Sequence, residues 1–521
     1  MLSLVHVLTW RAAVSADTVA LTDHEGARLT YFALGAAMER SAAGFTAAGI
    51  GPGDVVPIIA RNRVGWVTAM LGLIRAGALP AALNWRLAAP EVTALLQLAR
   101  PAAVVADHDC GALAGEAVAG LGRPVPVLPL ASFAAGTDAG TGTDVAGTDV
   151  AGALDSLLAR PAAPAILLHT SGTTGQPKLV ALTHEQLIAA AAFMKLEVAE
   201  AVPGTRHLSA LPLFHVAGLA NLGYVLFTGG QLHVLGGFEA AGFVDELVSR
   251  RIQLTQLVPT LIRAVTQEVS SRAVPPDLSA LTEVVYGASP IRPEELTRAV
   301  SVLGCRFRQN YASSETGPLP ISSLPPEDHD PARGRLMTAG RPSLGWDVRL
   351  GDRGEVQVRG AAPLPGYWNN PEATAALFLP GGWLRTGDVG TIDADGYLTI
   401  IDRLTDVVIT GGENVFPAEV EAVLAQHPAV ADVAVIGIPD DRWGETVHAV
   451  VVPAAGSDGA AFDGAGFDGA GLVNWARERL AGFKCPTGVT VVPELPRNAT
   501  GKVLRARLRE PFWAGRDRLL S

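Results

Sequence analysis

The stretch HTSGTTGQPKLVALTH, from His169 to His184, places a Gly/Thr-rich segment directly after a run of apolar residues. The run AILLH (165–169) predicts a buried strand, and EQLIAAAAFMKLEVAE (185–200) predicts a helix beyond the segment. Glycines let backbone N–H groups point into a concavity, hydroxyls add donors, and Lys178 adds a positive charge. The stretch therefore favours a phosphate-binding loop, with a turn-rich surface hairpin as the alternative interpretation.

The same stretch departs from the phosphate loop of kinases and GTPases. That loop requires a lysine between Gly and Ser/Thr, whereas Pro177 precedes Lys178 here and Leu179 follows it. The sequence therefore excludes an ordinary loop of that kind and indicates another class of phosphate-binding protein.

Length, charge and cysteine content narrow the class of protein. A chain of 521 residues exceeds one ordinary core, so two or more domains are expected. The formal net charge of −11 argues against broad electrostatic binding to nucleic acid or anionic lipid. The three cysteines are far apart and form no CxxC pair, which excludes a disulfide framework and a cysteine zinc site and fits a reducing cytoplasm.

Outside the opening stretch, apolar runs alternate with alanine-rich helical segments. AAVVAD (102–107) and EVVYGA (283–288) read as strands buried on both faces, which predicts an α/β fold with parallel sheet. Arg11 and Asp17 interrupt the apolar N-terminus, which favours an amphipathic surface helix over a signal peptide. The uncharged run 207–238 contains six glycines and three histidines, which favours buried core elements over a transmembrane segment.

Two low-complexity segments are expected to be flexible surface loops. GTDVAG occurs twice within 142–152 and FDGAG twice within 462–471. Such Gly-, Asp- and Ala-rich segments are poor core formers.

The segment around Lys178 closely resembles the phosphate-binding signature of the adenylate-forming superfamily, which includes acyl- and aryl-CoA synthetases, luciferases and peptide-synthetase adenylation domains. Further stretches resemble motifs of that family in the family's order and cover essentially the whole chain. They are LPLFHVAGL (211–219), YGASPI (286–291), QNYASSETG (309–317), GEVQVRG (354–360), GYWNNPEAT (366–374), WLRTGDVG (383–390), DRLTDVVITGGENVFPAEVE (402–421) and LPRNATGKVLR (495–505).

The resemblance implies a reaction in two steps. A carboxylate attacks the α-phosphorus of ATP and expels pyrophosphate, and the acyl-adenylate then passes its acyl group to the thiol of CoA. The resemblance makes three residues catalytic: Lys178 on the β- and γ-phosphates, Glu315 on Mg²⁺ together with Thr170, and Lys502 as a mobile charge in the adenylation step.

The resemblance also implies a nucleotide site. Tyr311 would offer a face to adenine, Asp388 would accept hydrogen bonds from the ribose hydroxyls, and Arg403 would reach the ribose and α-phosphate. The complete expected set is Thr170, Ser171, Gly172, Thr173, Thr174, Gly175, Lys178, Gly287, Ala288, Ser289, Gln309, Asn310, Tyr311, Ser314, Asp388, Arg403 and Lys502.

The acyl substrate is expected to be a monocarboxylate with an apolar tail or ring. Adenylation domains for amino acids usually carry an aspartate just after the phenylalanine of the FHVAGL motif, and His215 stands there instead. His215 is expected to gate the pocket, and Ala312 replaces a glycine that is common in the family. The expected acyl-site residues are His215, Val216, Gly218, Gly287, Ala288 and Ala312.

The predicted fold class is α/β, with a large N-terminal domain of stacked sheets and helices (1–402) and a small mobile C-terminal α+β domain (403–521) that carries Lys502. Gly411 and Gly412 are expected to line the pantetheine tunnel, with Trp443 beside the thiol arm. Asp402 and Thr405 depart from the family's usual hinge sequence.

A second departure from the family's usual sequence leaves the identity of the acyl acceptor open. Many relatives carry basic residues around Pro486 that can contact the 3′-phosphate of CoA, where Cys485 and Thr487 stand here. Lys484, Arg477 and Arg479 are the candidate replacements.

Three alternatives therefore accompany the CoA reading. Transfer could go to a carrier-protein thiol or to an amine, or the protein could be a silent adenylate-binding regulator. Retention of Lys178, Glu315, Asp388, Arg403 and Lys502 argues against the regulator.

Expected cofactors and co-substrates are ATP, Mg²⁺ and CoA. The expected location is cytoplasmic, and the sequence leaves a homodimer open beside a monomer.

Overall fold

The architecture comes from a computed structural model, which describes residues 2–134, 163–170, 177–198, 201–360, 362, 366–454, 467–498 and 501–514. The chain divides into two compact units, one of Met1–Val348 with Val358–Leu384 and one of Arg349–Gln357 with Arg385–Ser521. The domain boundary after Asp402 stays a prediction, because a division by packing does not identify the residues about which a domain turns.

Fourteen α-helices fall within the described residues. They are α1 Leu4–Val14, α2 Tyr31–Ala47, α3 Val64–Arg75, α4 Ala89–Ala99, α5 Gly111–Ala119, α6 His184–Glu197, α7 Val216–Thr228, α8 Ala240–Ser249, α9 Pro259–Ser271, α10 Pro293–Leu303, α11 Pro371–Leu377, α12 Pro417–Leu424, α13 Gly469–Arg477 and α14 Arg505–Trp513.

The strands of the described residues include all three predicted from apolar runs. They are β1 Val19–Asp23, β2 Arg28–Thr30, β3 Val55–Ile59, β4 Leu79–Ala82, β5 Val104–Ala106, β6 Val127–Pro129, β7 Pro164–Thr170, β8 Lys178–Thr183, β9 Arg206–Ser209, β10 Gln231–Val234, β11 Leu254–Leu257, β12 Glu283–Gly287, β13 Arg306–Tyr311, β14 Ser322–Leu324, β15 Arg341–Pro342, β16 Trp346–Leu350, β17 Glu355–Gly360, β18 Phe378–Leu379, β19 Trp383–Ile392, β20 Leu398–Arg403, β21 Val408–Thr410, β22 Glu413–Val415, β23 Val430–Asp440, β24 Gly444–Pro453 and β25 Gly488–Val491.

The larger sheet of the first unit has nine strands in the order β15-β14-β13-β12-β11-β9-β10-β1-β2. The six strands from β13 to β1 pair in parallel, and antiparallel strands close both edges. Helices α8, α9 and α10 pack on it through Phe243, Ile262 and Leu296. Because β9, β12 and β13 run in parallel, the motifs that follow them share one sheet edge, where open α/β sheets bind ligands.

The smaller sheet of this unit has the order β6-β5-β3-β4-β7-β8 and is parallel except for the last pair. Helices α4 and α5 cover it through Leu95, Leu96 and Ala114. Ten of the 12 residues of α3 are buried, so this helix is enclosed on nearly all sides. These parallel sheets with covering helices agree with the expected α/β class.

The second unit contains a sheet in the order β22-β21-β24-β23, with β25 paired in parallel to β24. Helices α12 and α13 pack on one cluster through Val420 and Leu472. Helix α14 packs on a second cluster through Leu508. The hairpin of β19 and β20 belongs to this unit from Arg385 onward.

The expectation of a strand, loop and helix around the Gly/Thr-rich segment is wrong in one respect. The residues on either side of the segment belong to two strands, β7 and β8, which pair antiparallel from Pro164–Thr183 to Thr170–Lys178, and α6 follows the second strand. The apolar KLVALT run, which includes β-branched Val and Thr, favours this extra strand. A helix N-terminus therefore does not follow the segment directly.

The expected N-terminal helix is present as α1, whereas the expected flexibility of one low-complexity segment needs correction. Arg11 interrupts an apolar run in the sequence but is buried, and its Nη2 donates to the Phe227 carbonyl, 2.6 Å away, near the end of α7. Asp468 in the second FDGAG copy caps α13 by accepting from Gly471 N at 2.7 Å, and Phe467 packs on the core, so 467–471 is ordered. The segments 142–152 and 462–466 lie outside the described residues.

Within the described ranges, no helix combines the length and the apolar character needed to cross a membrane.

Candidate active site

Strands β7 and β8 pair as far as Thr170 and Lys178, which lie opposite each other. The Thr170 hydroxyl oxygen is buried and has no hydrogen-bond partner among the described residues. The Lys178 ammonium lies 4.8 Å from the ring centroid of Tyr367. The loop residues predicted to hold phosphate lie outside the described residues: Ser171, Gly172, Thr173, Thr174 and Gly175.

Glu315 lies in a tight turn whose shape the SSETG motif dictates. The Ser313 hydroxyl accepts from Thr316 N at 3.2 Å, and the Thr316 hydroxyl accepts from Ser313 N at 3.0 Å. Gly317 closes the turn at φ 83°, a left-handed conformation that glycine adopts without strain. The turn fixes the backbone on both sides of Glu315, and Ser314 beside it is half-buried.

Tyr367 is the functional candidate that our sequence reasoning missed. Its hydroxyl donates to Glu315 Oε1 at 3.2 Å, while its ring faces Lys178. The signal was present in GYWNNPEAT, a motif that resembles the family's, but no pattern there assigns a role to the tyrosine. The side chain connects two residues that the sequence predicted separately.

The ends of β12 and β13 carry the residues expected around adenosine. Gly287 and Asn310 pair in register, and a Cβ on Gly287 would lie 2.2 Å from the Asn310 carbonyl oxygen, so the neighbouring strand itself requires glycine. Ala288 has φ 72°, a strained conformation that is concentrated at functional sites. Within the part of the chain that the structure describes, the Asn310 side-chain oxygen is buried without a partner, and an amide oxygen of this kind can accept a hydrogen bond from an adenine amine.

The other expected nucleotide residues of this edge lie nearby in the chain. Gln309 and Tyr311 flank Asn310 on β13, and Ile321 N donates to the Tyr311 carbonyl at 2.7 Å. Ser289 follows Ala288, and Ala312 follows Tyr311 at the strand end.

His215 caps the N-terminus of α7. Its Nδ1 accepts from Ala217 N at 3.3 Å, which leaves the proton on Nε2 in the neutral ring. Burial, with His169 nearby, lowers the pKa of His215 to about 4. At neutral pH His215 therefore presents an uncharged ring, as a gate to an apolar pocket requires.

The next two acyl-site candidates have clear packing roles. Val216 is buried, and a Cβ on Gly218 would lie 2.2 Å from the Pro212 carbonyl oxygen. Gly218 is thus required by the turn before α7. That these residues line an acyl pocket stays a prediction.

Asp388 and Arg403 form an ion pair across β19 and β20. They oppose each other in register, and Arg403 Nε lies 2.7 Å from Asp388 Oδ1. Asp388 is 4% exposed, and its backbone N–H donates to the Thr386 hydroxyl at 3.1 Å. The pair places a fixed carboxylate, which can accept hydrogen bonds from ribose hydroxyls, beside a cation that can contact a neighbouring phosphate.

Lys502 lies in the same compact unit as this pair. Asn498 holds the backbone of Lys502 on both sides, since Lys502 N donates to its side chain at 2.9 Å and the Lys502 carbonyl accepts from Asn498 N at 2.8 Å. Burial, and secondarily the charge of Arg403, lowers the pKa of Lys502 to about 8, against opposing contributions from Asp388 and Asp406. The predicted trio of Asp388, Arg403 and Lys502 is therefore electrostatically coupled.

A partly buried ionic network, which no sequence motif indicated, ties the Lys502 segment to the predicted hinge. Arg505 Nη2 donates to both carboxylate oxygens of Glu421 at 2.8 Å, and Arg509 donates to the Thr405 carbonyl at 3.1 Å. Asp406 pairs with both arginines, at 3.5 and 3.1 Å. Within the second unit, α14 is thus anchored to residues 405–406.

The unusual hinge residue Asp402 has a structural role. Its carboxylate accepts from Ala418 N at 2.9 Å, at the start of α12, and from Arg403 N at 2.8 Å. Burial raises the pKa of Asp402. A glycine at this position could not make these bonds.

Gly411 and Gly412 form the two-residue turn between β21 and β22, with φ 58° and 86°. A Cβ on Gly411 would also lie 2.8 Å from the ring of Trp443, whose carbonyl accepts from Gly411 N at 2.9 Å. Trp443 is 48% exposed. The turn and the tryptophan form one surface feature, and its role in binding a thiol arm stays a prediction.

Two of the cations expected to replace a CoA-binding patch are already paired. Lys484 Nζ lies 2.6 and 2.8 Å from the two oxygens of Glu419. Arg479 stacks on Trp475 at 3.5 Å and pairs with Glu478 at 2.9 Å. A phosphate would have to compete with these carboxylates.

No group of three or more His, Cys, Asp or Glu side chains is placed to hold a metal in the part of the chain that the structure describes. Glu315 and the unpartnered Thr170 hydroxyl fit Mg²⁺ only together with substrate oxygens, which is how this ion is usually bound.

The matching family defines the class of protein. The chain matches the family described as AMP-binding enzyme over residues 8–368 and its C-terminal domain over residues 419–502. The chain belongs to this family of adenylate-forming enzymes, as the motif resemblance predicted. Its α/β fold with large N-terminal and smaller C-terminal domains is that of the family.

Three individual proteins show which kinds of enzyme this chain is similar to. A fatty acid–[acyl-carrier-protein] ligase of Streptomyces coeruleorubidus is 34% identical over 95% of this chain and 94% of its own. A feruloyl-CoA synthase of an Amycolatopsis species is 35% identical over 96% and 97%. The o-succinylbenzoate CoA synthetase of Bacillus subtilis, solved with ATP and magnesium ion, has a TM-score of 0.80 and 27% identity over 96% of this chain and 98% of that chain.

Proposed function

We propose that this enzyme is an acid–thiol ligase that activates a carboxylic acid with ATP and transfers the acyl group to CoA, releasing pyrophosphate and AMP. The observation that carries the proposal is the electrostatic coupling of Lys502 to Asp388 and Arg403, residues that three separate motifs supply. The acid is a monocarboxylate with an apolar tail or ring, because His215 is neutral at its position and no aspartate follows Phe214.

In the first step two anions must meet, so the protein's contribution is positioning and charge compensation. Lys178 balances the charge of the β- and γ-phosphates, and Asp388 orients the ribose. Lys502 bridges the attacking carboxylate and the α-phosphate. Bound Mg²⁺, which Glu315 and Thr170 would hold, would neutralise further phosphate charge.

In the second step the CoA thiol attacks the acyl carbonyl carbon and AMP leaves. The turn at Gly411 and Gly412, with Trp443 beside it, guides the pantetheine arm. We place the enzyme in the cytoplasm, where ATP and CoA are available, and sedimentation of the purified protein would distinguish a monomer from a homodimer.

A carrier-protein thiol is the second candidate acceptor. The pairing of Lys484 with Glu419 favours it, because a carrier's pantetheine arm lacks the 3′-phosphate that this lysine would contact. The relative from Streptomyces coeruleorubidus is named as a ligase that acts on an acyl-carrier protein.

The decisive experiment measures pyrophosphate release across a panel of aliphatic, aromatic and amino acids, each with CoA, with a phosphopantetheinylated carrier protein, or with neither. We expect release with monocarboxylic acids and thioester formation only when a thiol is added. Pyrophosphate exchange confined to α-amino acids would overturn the substrate assignment, and ATP binding without any release would indicate a regulator.

A further inference from the structure

Residues 366–368 are fixed against β8 by backbone contacts. Val180 and Tyr367 form an antiparallel bridge. Ala181 N donates to the Gly366 carbonyl at 3.3 Å, and Trp368 N donates to the Leu179 carbonyl at 2.7 Å. Strand β8 begins at Lys178 and pairs with β7 on the side away from Tyr367. The backbone of Tyr367 is therefore held against the same pair of strands that carries Lys178.

The rest of the GYWNNPEAT motif holds the backbone of Tyr367. The Thr374 hydroxyl accepts from Tyr367 N at 2.9 Å and donates to the Asn370 carbonyl at 2.8 Å. Gly366 has φ 102°, and a Cβ there would lie 2.2 Å from the Thr374 methyl group. These contacts fix the backbone from which the Tyr367 side chain projects.

The Tyr367 side chain contacts two groups of opposite charge at once. Its hydroxyl donates to Glu315 Oε1 at 3.2 Å, and its ring face lies 4.8 Å from the Lys178 ammonium. No ion pair joins Lys178 to Glu315 within the residues that the structure describes. A direct pair would cancel both charges, so a neutral group that holds each of them preserves a cation for phosphate and an anion for metal.

We propose, resting on the function proposed above, that Tyr367 is a positioning residue that aims Glu315 at the metal and holds Lys178 apart from it at the phosphates. The hydroxyl contacts the Glu315 carboxylate and the ring contacts the Lys178 ammonium, so substitutions can remove the first contact without the second. Loss of an outer hydrogen bond to a metal ligand typically weakens metal binding about 10–100-fold.

The test uses the full chain and α,β-methylene-ATP, which binds but cannot release pyrophosphate. Bound Mn²⁺ is measured by electron paramagnetic resonance, and nucleotide binding without metal is measured by calorimetry in EDTA. Tyr367→Phe should weaken Mn²⁺ binding about tenfold or more and leave metal-free nucleotide binding unchanged. Tyr367→Leu, which also removes the ring, should weaken both.

Tyr224→Phe is the matched control, because it removes a buried hydroxyl of the same unit that donates to the Val198 carbonyl at 3.5 Å, and Tyr224 lies outside the site motifs in the sequence. The inference is overturned if Tyr367→Phe binds Mn²⁺ as the wild type does. It is equally overturned if both Tyr367 variants lose metal-free nucleotide binding to the same extent. A wild type that binds no nucleotide would instead refute the proposed function.

Discussion

The ammonium of Lys502 is surrounded by charges of both signs, and its protonation limits the pH range in which it can act. Its pKa is lowered to about 8, mainly by burial. The lowered pKa still lies above 7, so Lys502 is charged at pH 7 and loses its charge as the pH rises through about 8.

We therefore expect kcat/KM for ATP in the acid-activation step to fall as pH rises through about 8, since this parameter reports groups of the free enzyme. Lys502→Arg keeps its charge over this range and should lose the fall at pH 8, whatever its absolute rate. A pH profile of pyrophosphate release for both proteins checks this. An unchanged fall in the arginine variant would assign the titration to another group.

The pairing of Lys484 with Glu419 leads to a prediction about the acceptor. Glu419→Gln removes the competing carboxylate and should lower KM for CoA about twofold to fivefold, the range expected for an exposed ion pair. KM for 3′-dephospho-CoA is the internal control and should not change. If both values fall together, Lys484 does not contact the 3′-phosphate.

At the scale of elements, α14 is attached to the rest of its unit by its arginines as well as by the apolar packing of Leu508. Arg505 has two bonds to the largely buried Glu421, whose pKa is raised by burial despite this partner. Removing the arginine would leave a buried carboxylate without its main counter-charge, and breaking such a pair costs about 3–5 kcal/mol.

Arg505→Leu should therefore lower the free energy of unfolding of the second unit by about 3–5 kcal/mol, measured by urea denaturation at pH 7. A raised pKa means that the folded state binds the Glu421 proton more tightly than the unfolded state does, so the loss should shrink as pH falls. Adding Glu421→Gln should recover much of the stability. A double variant no more stable than Arg505→Leu would show that packing, not charge, is lost.

At the scale of the whole molecule, the expected mobility of the C-terminal domain leads to a prediction about Lys502, because a domain that rotates between the two steps would carry this residue away after activation. Lys502→Ala should reduce ATP-driven activation about 10²–10³-fold, the usual cost of one preorganised group. Thioester formation from chemically made acyl-adenylate and CoA should be nearly unchanged, because the rotation carries residue 502 away. Equal losses in both steps, measured side by side with the wild type, would contradict the rotation.

The sequence predicted the fold class because buried parallel strands leave long apolar runs, as in AILLH and EVVYGA. The individual site residues were proposed because each lies in a recognisable motif, and their roles stay predictions. The sequence did not indicate β8 as a separate strand, since a short apolar run next to a helix carries no distinct period. It also missed the roles of Tyr367 and Arg505, which depend on contacts with residues 52 and 84 positions away.

The backbone bridge between Val180 and Tyr367 has a consequence for how the chain is made. The ribosome must add roughly 190 residues after β8 before the segment that covers its outer edge exists. At ordinary rates of synthesis of about 5–20 residues per second, the nascent β8 spends on the order of 10–40 s as an uncovered edge strand. Uncovered strands recruit other chains, so truncated products that end before residue 366 should aggregate and depend on chaperones more than the full-length chain does.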